Sequence, residues 1–292
     1  MHQDVLYWVI GSEIVQADIS FTSFYSLFNS PYPAHRMGTA VDLYFSIDEA
    51  LFPFEEGIIL DIRWYNVPRK RVDALDKEPL ILIWLSSITV AKILHVYPKV
   101  RIGERIYFGD PIGKLIISGF MYPWSEKHMH LEVRPLWDPV RATGASRVKM
   151  LRATNVPATN RIEGIIVEKN EYYLLVKPKN TISEGLTPLT IHQGGYIHSI
   201  EGGIPHYGYA GLLTTTSRDY KNMLNLGTYN ALLMEIKWGI GAPGDKCIYK
   251  GVSTYIKRPY VKLIGICDNI DLKEGDVIIW GKYAEIGKLV GT

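Results

Sequence analysis

His-Met-His-Leu-Glu-Val, residues 128–133, alternates polar and apolar side chains. Such alternation is typical of a β-strand, in which residues two apart share a face. His128, His130 and Glu132 are therefore expected on one face, and the apolar residues between them on the other, facing a core. Two imidazoles on one strand face can form part of a metal site. The alternative is a half-buried strand that carries ordinary polar residues.

The sequence on both sides of this strand also indicates β structure. Short β-branched runs are separated by Gly and Pro turns, such as Gly109-Asp110, and helical periodicity is missing there. The chain is therefore predicted to be mainly β. Its 292 residues favour two domains. We expect a first domain over residues 1–145, a linker over 146–160 where the pattern weakens, and a second β-rich domain over 161–292.

Two further expectations concern the second domain. One short helix is predicted at residues 219–226. The only two cysteines of the sequence, Cys247 and Cys267, do not form a CxxC pair, so they predict either one disulfide or two free thiols.

Composition excludes some classes of protein. Hydrophobic residues make up 47% of the chain and charged residues 21%, which predicts a packed core and not disorder. The formal charge is +2 and the basic run Arg69-Lys70-Arg71 is short, so nucleic acid is not expected as a partner. The longest apolar run, residues 80–94, is too short to span a bilayer and contains Lys92. No export signal is recognised at the N-terminus, so a cytoplasmic location is the default expectation.

Asp42 is a second candidate for a functional site. The β-like pattern resumes at Thr39 after a turn at Gly38, and Ala40, Asp42 and Tyr44 are expected on one strand face. Aspartate is disfavoured in strands and costly to bury without a partner. A cation beside Asp42 would remove this cost. Pairing with an arginine or capping of a turn is the alternative.

Taken together, these motifs resemble the lysostaphin/LytM-type zinc metallopeptidases over residues of about 30–135. The elements that carry the resemblance are, in chain order, His35…Gly38…Asp42, His95, the run of turns from Gly103 to Gly113, and His128-x-His130-Leu-Glu-Val-Arg. The resemblance implies an open, sandwich-like β domain of the duplicated hybrid motif type, with the metal in a groove.

The resemblance also implies roles for individual residues. His35, Asp42 and His130 would bind one zinc ion per chain, and His128 and His95 would assist catalysis. Zinc lowers the pKa of a bound water to about 7 and polarises carbonyl groups. The expected function is therefore a zinc-dependent, endopeptidase-like hydrolysis of a peptide bond in a peptide or peptide-containing substrate.

Residues around the ligands complete this hypothesis. Glu132, on the same strand face, is expected to orient an imidazole from outside the ligand set. Aromatic residues near strand ends are candidates for the substrate groove: Tyr44, Trp64, Tyr122 and Trp124.

Two features depart from the family. Six residues separate His35 from Asp42 where the family usually has three, so the chain must fold back at Met37-Gly38. The family usually acts outside the cytoplasm, which makes an extracytoplasmic location the alternative.

Two other functions remain open at this point. A noncatalytic binding module could use the same scaffold. A histidine phosphocarrier has a similar β architecture with two facing histidines, and it needs neither Asp42 nor His35. The second domain is expected to recognise substrate or a partner.

Overall fold

The computed structural model describes residues 4–160, 163–193, 195–204, 209–215, 223–234, 242–243, 248–249, 251–264 and 273–279. The chain divides into two compact units. Unit 1 comprises Met1–Tyr25 and Pro33–Arg152, and unit 2 comprises Ser26–Tyr32 and Ala153–Thr292. The predicted domain boundaries stay predictions. Cys247 and Cys267 lie outside the described residues.

The first half of the chain is built almost entirely from strands. Its elements are, in chain order, β1 (Val5–Ile10), β2 (Glu13–Asp18), β3 (Phe24–Ser26), α1 (Pro33–Arg36), β4 (Ala40–Tyr44), β5 (Glu49–Leu51), β6 (Glu56–Asn66), β7 (Lys77–Trp84), β8 (Thr89–Leu94), β9 (Val96–Pro98), β10 (Arg105–Tyr107), β11 (Pro111–Leu115), β12 (Met129–Pro135) and β13 (Lys149–Arg152).

The remaining strands belong to unit 2. They are β14 (Val156–Ala158), β15 (Glu163–Lys169), β16 (Tyr173–Pro178), β17 (Ser183–Gly185), β18 (Thr190–Gln193), β19 (Tyr196–Ile204), β20 (Ala210–Thr214), β21 (Met223–Leu226), β22 (Tyr229–Met234), β23 (Ala242–Pro243), β24 (Ile248–Tyr249), β25 (Gly251–Thr254), β26 (Val261–Ile264) and β27 (Val277–Ile279). The prediction of a mainly β chain is confirmed. The range 146–160, predicted as a linker, contains β13 and β14.

The main sheet of unit 1 has seven strands in the order β10-β6-β7-β8-β12-β4-β3. Neighbouring strands from β10 to β4 pair antiparallel. Both faces of β8, β12 and β4 are largely buried, because the sheet is covered on each side at its centre. The alternative prediction of a half-buried strand is therefore wrong for β12, since the polar face of this strand is as buried as its apolar face.

A smaller sheet of unit 1 has the strand order β13-β1-β2, in which β1 pairs with residues 149–152. Leu6 and Trp8 of β1 are fully buried, because alternate residues of this strand face the interior. The third sheet has the order β5-β11-β9 and contains Gly113, the last glycine of the run of turns. A Cβ on Gly113 would lie 2.1 Å from the carbonyl oxygen of Tyr97, so only glycine fits where β11 passes β9.

Unit 2 centres on a ten-stranded sheet that includes β15, β16, β19, β20, β22, β25 and β26. The helix predicted at 219–226 is wrong for Met223–Leu226, which pair with β22 as strand β21; residues 219–222 lie outside the described residues. Glu201 of β19 is fully buried and accepts hydrogen bonds from Ser26 Oγ (2.5 Å) and from the amides of Leu27 (3.3 Å) and Phe28 (2.8 Å). In the described part of the chain, no helix has the length and apolar character needed to cross a membrane.

Candidate metal centre

Three neighbouring strands and one short helix assemble the site in unit 1. Antiparallel register places His130 of β12 directly opposite Asp42 of β4 on one side and Leu94 of β8 on the other. Directly opposed residues on one sheet face have Cβ atoms about 4.5–5.5 Å apart, close enough for their side chains to touch. His95 follows Leu94 immediately, at the end of β8.

The helix α1 brings the remaining histidine to the same place. Its last turn is closed by hydrogen bonds from the Gly38 amide to the His35 carbonyl (2.9 Å) and from the Thr39 amide to the Ala34 carbonyl (2.8 Å). Gly38 has a φ of 64°, a left-handed conformation that glycine adopts without strain. The chain reverses here, so His35 reaches Asp42 although six residues lie between them.

Three side-chain atoms form a nearly equilateral triangle. His130 Nδ1 lies 3.0 Å from Asp42 Oδ1, His35 Nε2 lies 3.2 Å from the same oxygen, and the two nitrogens are 3.1 Å apart. All three residues are buried, and they form the group that could hold a metal ion among the described residues.

The triangle fits zinc. Zinc bonds of about 2.0–2.1 Å to nitrogen and oxygen, arranged tetrahedrally, separate neighbouring ligand atoms by roughly 3.3 Å. The three observed separations of 3.0–3.2 Å are close to this value. Two imidazoles and one carboxylate also form a donor set that suits zinc and leaves a fourth position open.

Asp42 lies among imidazoles. Its Oδ2 is 3.5 Å from His128 Nε2, in addition to the two contacts of Oδ1. Burial alone would raise the pKa of this carboxyl, but the charges of His35 and His128 and the hydrogen bond from His130 outweigh burial and hold the pKa well below its usual value. The carboxylate is therefore ionised in the interior, as a metal ligand must be.

Glu132 holds the other side of the His130 ring. Its Oε1 lies 3.2 Å from His130 Nε2, while Lys92 Nζ lies 2.7 Å from Oε1 and an Arg134 nitrogen lies 2.6 Å from Oε2. Burial opposes ionisation of Glu132, but the bond to His130 and the charge of Lys92 lower its pKa to about 2. An ionised Glu132 accepts Nε2–H of His130, and this tautomer leaves the Nδ1 lone pair directed at the triangle.

The metal-free pKa of His130 reflects both carboxylates. Burial lowers the pKa, but hydrogen bonds to Asp42 and Glu132 and their charges overcome burial and raise it to about 9. His130 therefore carries a proton at neutral pH when no metal is bound. A metal ion must displace this proton.

His128 has the opposite protonation behaviour. Its Nδ1 donates to the Glu126 carbonyl at 2.7 Å, which leaves Nε2 as the acceptor on the side of Asp42. Burial is the largest influence on the His128 pKa and, with the nearby charge of His95, lowers it to about 4 against the opposing effect of Asp42. A neutral imidazole in this position can accept a proton at neutral pH.

His95 completes the cluster of rings. Its ring centroid lies 5.0 Å from that of His128 and 5.9 Å from that of His130. His95 Nδ1 lies 2.9 Å from Glu78 Oε1, and the same oxygen accepts the His95 backbone amide at 2.6 Å. The rings of His35, His95, His128 and His130 thus form one connected cluster, in which each ring contacts at least one other.

The predicted groove residues fall into two groups. Tyr44 is buried beside the site, with its ring centroid 5.1 Å from that of His128. Trp64 is half exposed and its ring contacts Tyr97, while Tyr122 and Trp124 stack on each other at 4.9 Å. Their part in a substrate groove stays a prediction.

Three charged residues of the site were missed in the sequence. Residues 67–79 are rich in charge and bounded by proline, a composition typical of a solvated loop, yet only 2% of Glu78 is exposed. Lys92 and Arg134 were noted only as members of their runs. A lysine inside an otherwise apolar strand is a usable signal, because a buried ammonium needs a carboxylate partner; Lys92 finds Glu132.

Comparisons with known proteins add the following. The family model described as "Domain of unknown function (DUF8155) N-terminal domain" matches residues 13–150. No curated protein matches the chain. A similar solved structure is that of a zinc containing peptidase from Vibrio cholerae, at 15% identity and a TM-score of 0.27. The match covers 49% of this chain and 50% of that one, so the chain spans about half the length of the peptidase structure.

Proposed function

We propose that unit 1 is a zinc-dependent hydrolase of peptide bonds. The observation that carries the proposal is the triangle of His35 Nε2, Asp42 Oδ1 and His130 Nδ1, with sides of 3.0–3.2 Å in a buried site. This spacing matches the ligand edges of a tetrahedral zinc site. His35, Asp42 and His130 are accordingly the proposed ligands, with one zinc ion per chain.

Zinc, when bound, supplies a Lewis acid and lowers the pKa of water. The chain supplies the groups that move protons. His128 is neutral at neutral pH because burial lowers its pKa to about 4, so its Nε2 can take a proton. His95, with its ring beside that of His128, is the second proposed catalytic imidazole. One of the two can accept a proton from the attacking water while the other stabilises charge on the carbonyl oxygen.

Glu132 has a proposed role outside the ligand set. By accepting Nε2–H of His130 it fixes the tautomer that presents Nδ1. Tyr44, next to His128, is the groove candidate that lies nearest the reacting groups. A peptide or peptide-containing molecule is the proposed substrate class.

Charge disfavours the phosphocarrier alternative. A phosphoryl group on His128 Nε2 would lie beside the ionised Asp42, whose Oδ2 is 3.5 Å away. Two negative charges at this distance in a buried site repel strongly. The noncatalytic alternative predicts a purified chain without metal.

Metal analysis of the purified chain, with hydrolysis of a fluorogenic peptide library as the activity assay, tests the proposal. The wild type is expected to hold one zinc per chain and to cleave. His130→Ala should lose zinc and activity, while His128→Ala should keep zinc and lose activity. His198→Ala, a buried histidine of unit 2, is the matched control and should change neither.

Each of the remaining outcomes excludes part of the proposal. Stoichiometric zinc in His130→Ala would overturn the ligand assignment. Zinc without cleavage would overturn the hydrolase activity, a chain without metal or phosphohistidine would favour the binding module, and phosphohistidine with little metal would favour the phosphocarrier.

A further inference from the structure

Glu78 is a buried carboxylate that the proposed chemistry leaves unexplained. It lies near the start of β7, with 2% of its surface exposed. Its Oε1 accepts two hydrogen bonds from one residue, the backbone amide of His95 at 2.6 Å and the ring Nδ1 of His95 at 2.9 Å. Burial of a carboxylate is costly unless hydrogen bonds offset the cost. Two of the bonds that do so for Glu78 come from His95, which links the two residues closely.

The backbone of His95 is in an unusual conformation. Its φ is 67°, in the left-handed region that residues with a Cβ seldom occupy. Such a conformation persists when the surroundings hold it in place, and it occurs often at functional sites. Both sides of His95 are held here, since its amide donates to Glu78 and its carbonyl accepts from the Ile116 amide at 3.0 Å.

The ring of His95 is oriented by the same carboxylate. Burial raises the pKa of Glu78, but the charge and the hydrogen bonds of His95, together with a hydrogen bond from Ser118, outweigh burial and lower it. An ionised carboxylate can only accept a hydrogen bond, so Nδ1 must carry hydrogen. In the neutral form of the ring, Nε2 then carries the lone pair. The ring itself lies against those of His128 and His130.

We propose that Glu78 is the positioning residue of His95: it selects the Nδ1–H tautomer and holds the left-handed backbone, so that Nε2 is presented for proton transfer. The catalytic use of His95 rests on the proposed function, whereas the tautomer and the backbone conformation do not. The two parts therefore have separate tests.

The tautomer is measured by nitrogen-15 NMR of the zinc-loaded full chain at about pH 8.5, roughly two units above the ordinary imidazole pKa. The chain has eight histidines, and His95→Gln identifies the signals of His95 by difference. The wild type should show Nδ1–H for His95. Glu78→Ala should lose this preference, and Glu78→Gln should keep it, because an amide oxygen still accepts. Nε2–H in the wild type, or an unchanged tautomer in Glu78→Ala, would overturn the proposal, and the wild-type spectrum decides even if Glu78→Ala does not fold.

Kinetics on the fluorogenic peptide library test the catalytic part. We expect kcat to fall about 10- to 100-fold in Glu78→Ala, with KM and zinc content unchanged. Glu78→Gln should recover most of the activity, which a loss of general stability would not explain. Glu201→Gln, a buried carboxylate of unit 2 that also accepts backbone amides, is the matched control.

The two proposals fail in different ways. An inactive wild type whose His95 tautomer depends on Glu78 would sink the peptidase function and leave the positioning role standing. An active wild type whose kcat is unaffected in Glu78→Ala would sink the positioning role alone.

Discussion

Asp42 and Glu132 are buried carboxylates on either side of His130, and they differ in the cations around them. Glu132 contacts the Lys92 ammonium at 2.7 Å and the Arg134 guanidinium at 2.6 Å. In the described part of the chain, the ion pairs of Asp42 are all with histidines, whose ring nitrogens can bind either a proton or a metal ion. Glu132 is therefore neutralised by the protein itself, whereas the counter-charge of Asp42 is exchangeable.

Strand β12 therefore carries a buried ion pair and a potential metal ligand on the same face. One residue, His130, faces a fixed ion network through Nε2 and an exchangeable one through Nδ1. A proton or a metal ion can balance the charge of Asp42, while Lys92 and Arg134 are ion-paired with Glu132.

Removing Asp42 should abolish the metal site. In Asp42→Ala two imidazoles remain without an anionic ligand, so we expect stoichiometric zinc to be lost, as measured by elemental analysis after gel filtration. Asp48→Ala, a surface carboxylate paired with Lys127, is the control and should retain zinc. One zinc per chain in Asp42→Ala would show that Asp42 is neutralised by something other than the metal.

Removing Arg134 should strongly destabilise the fold with or without metal. Arg134→Met leaves part of the buried Glu132 charge unpaired and also removes the bonds to the Asp138 and Thr143 carbonyls. Breaking a buried ion pair costs about 3–5 kcal/mol of unfolding free energy. Urea unfolding with a chelator present measures the loss. A cost below about 1 kcal/mol would mean that the network around Glu132 is not structural.

Zinc affinity should increase with pH. The pKa of His130 is raised to about 9 in the metal-free protein, so a proton occupies the ligand throughout the neutral range. Zinc must displace it, and the apparent affinity should rise about 25-fold between roughly pH 7 and pH 8.5. Competition with a chromophoric chelator, corrected for the chelator's own protonation, gives the slope. A constant affinity over this range contradicts a protonated His130.

Removing the exposed cation Arg105 should have almost no effect on the unfolding free energy. Arg105 pairs with Glu56 at 3.1 Å, but about half of each side chain is exposed. Exposed pairs contribute about 0–1 kcal/mol, so Arg105→Met should change the unfolding free energy by less than about 1 kcal/mol. The same urea experiment serves as the matched comparison for Arg134→Met. A large loss of unfolding free energy in Arg105→Met would show that burial does not explain why Arg134→Met is the more destabilising substitution.

The local part of the site was visible in the sequence. Alternation around His130 predicted the strand and its polar face, and a lone carboxylate in a strand drew attention to Asp42. The long distance between His35 and Asp42 required a reversal, and Gly38 indicated where it occurs. Each of these inferences depends on residues within one element or one turn.

The rest of the site depends on pairing between distant strands. Glu78 stands beside Pro79 at the end of a charged stretch, and nothing local distinguishes it from a solvated glutamate. Glu78 becomes a buried hydrogen-bond partner of His95 because β7 pairs with β8. The helix predicted near Met223 failed for a related reason, since pairing with β22 decides that segment.

The first and last strands of unit 1 have a consequence for how this unit can be rearranged. β1 and β13 are hydrogen-bonded neighbours, with Val5 opposite Arg152, so the two ends of the unit nearly meet. Proteins whose termini are adjacent often tolerate circular permutation. New ends at the exposed turn of Gly103 would interrupt none of the strands that carry the metal centre. The site is therefore defined by which strands are neighbours, and we expect such a rearranged unit 1 to keep it.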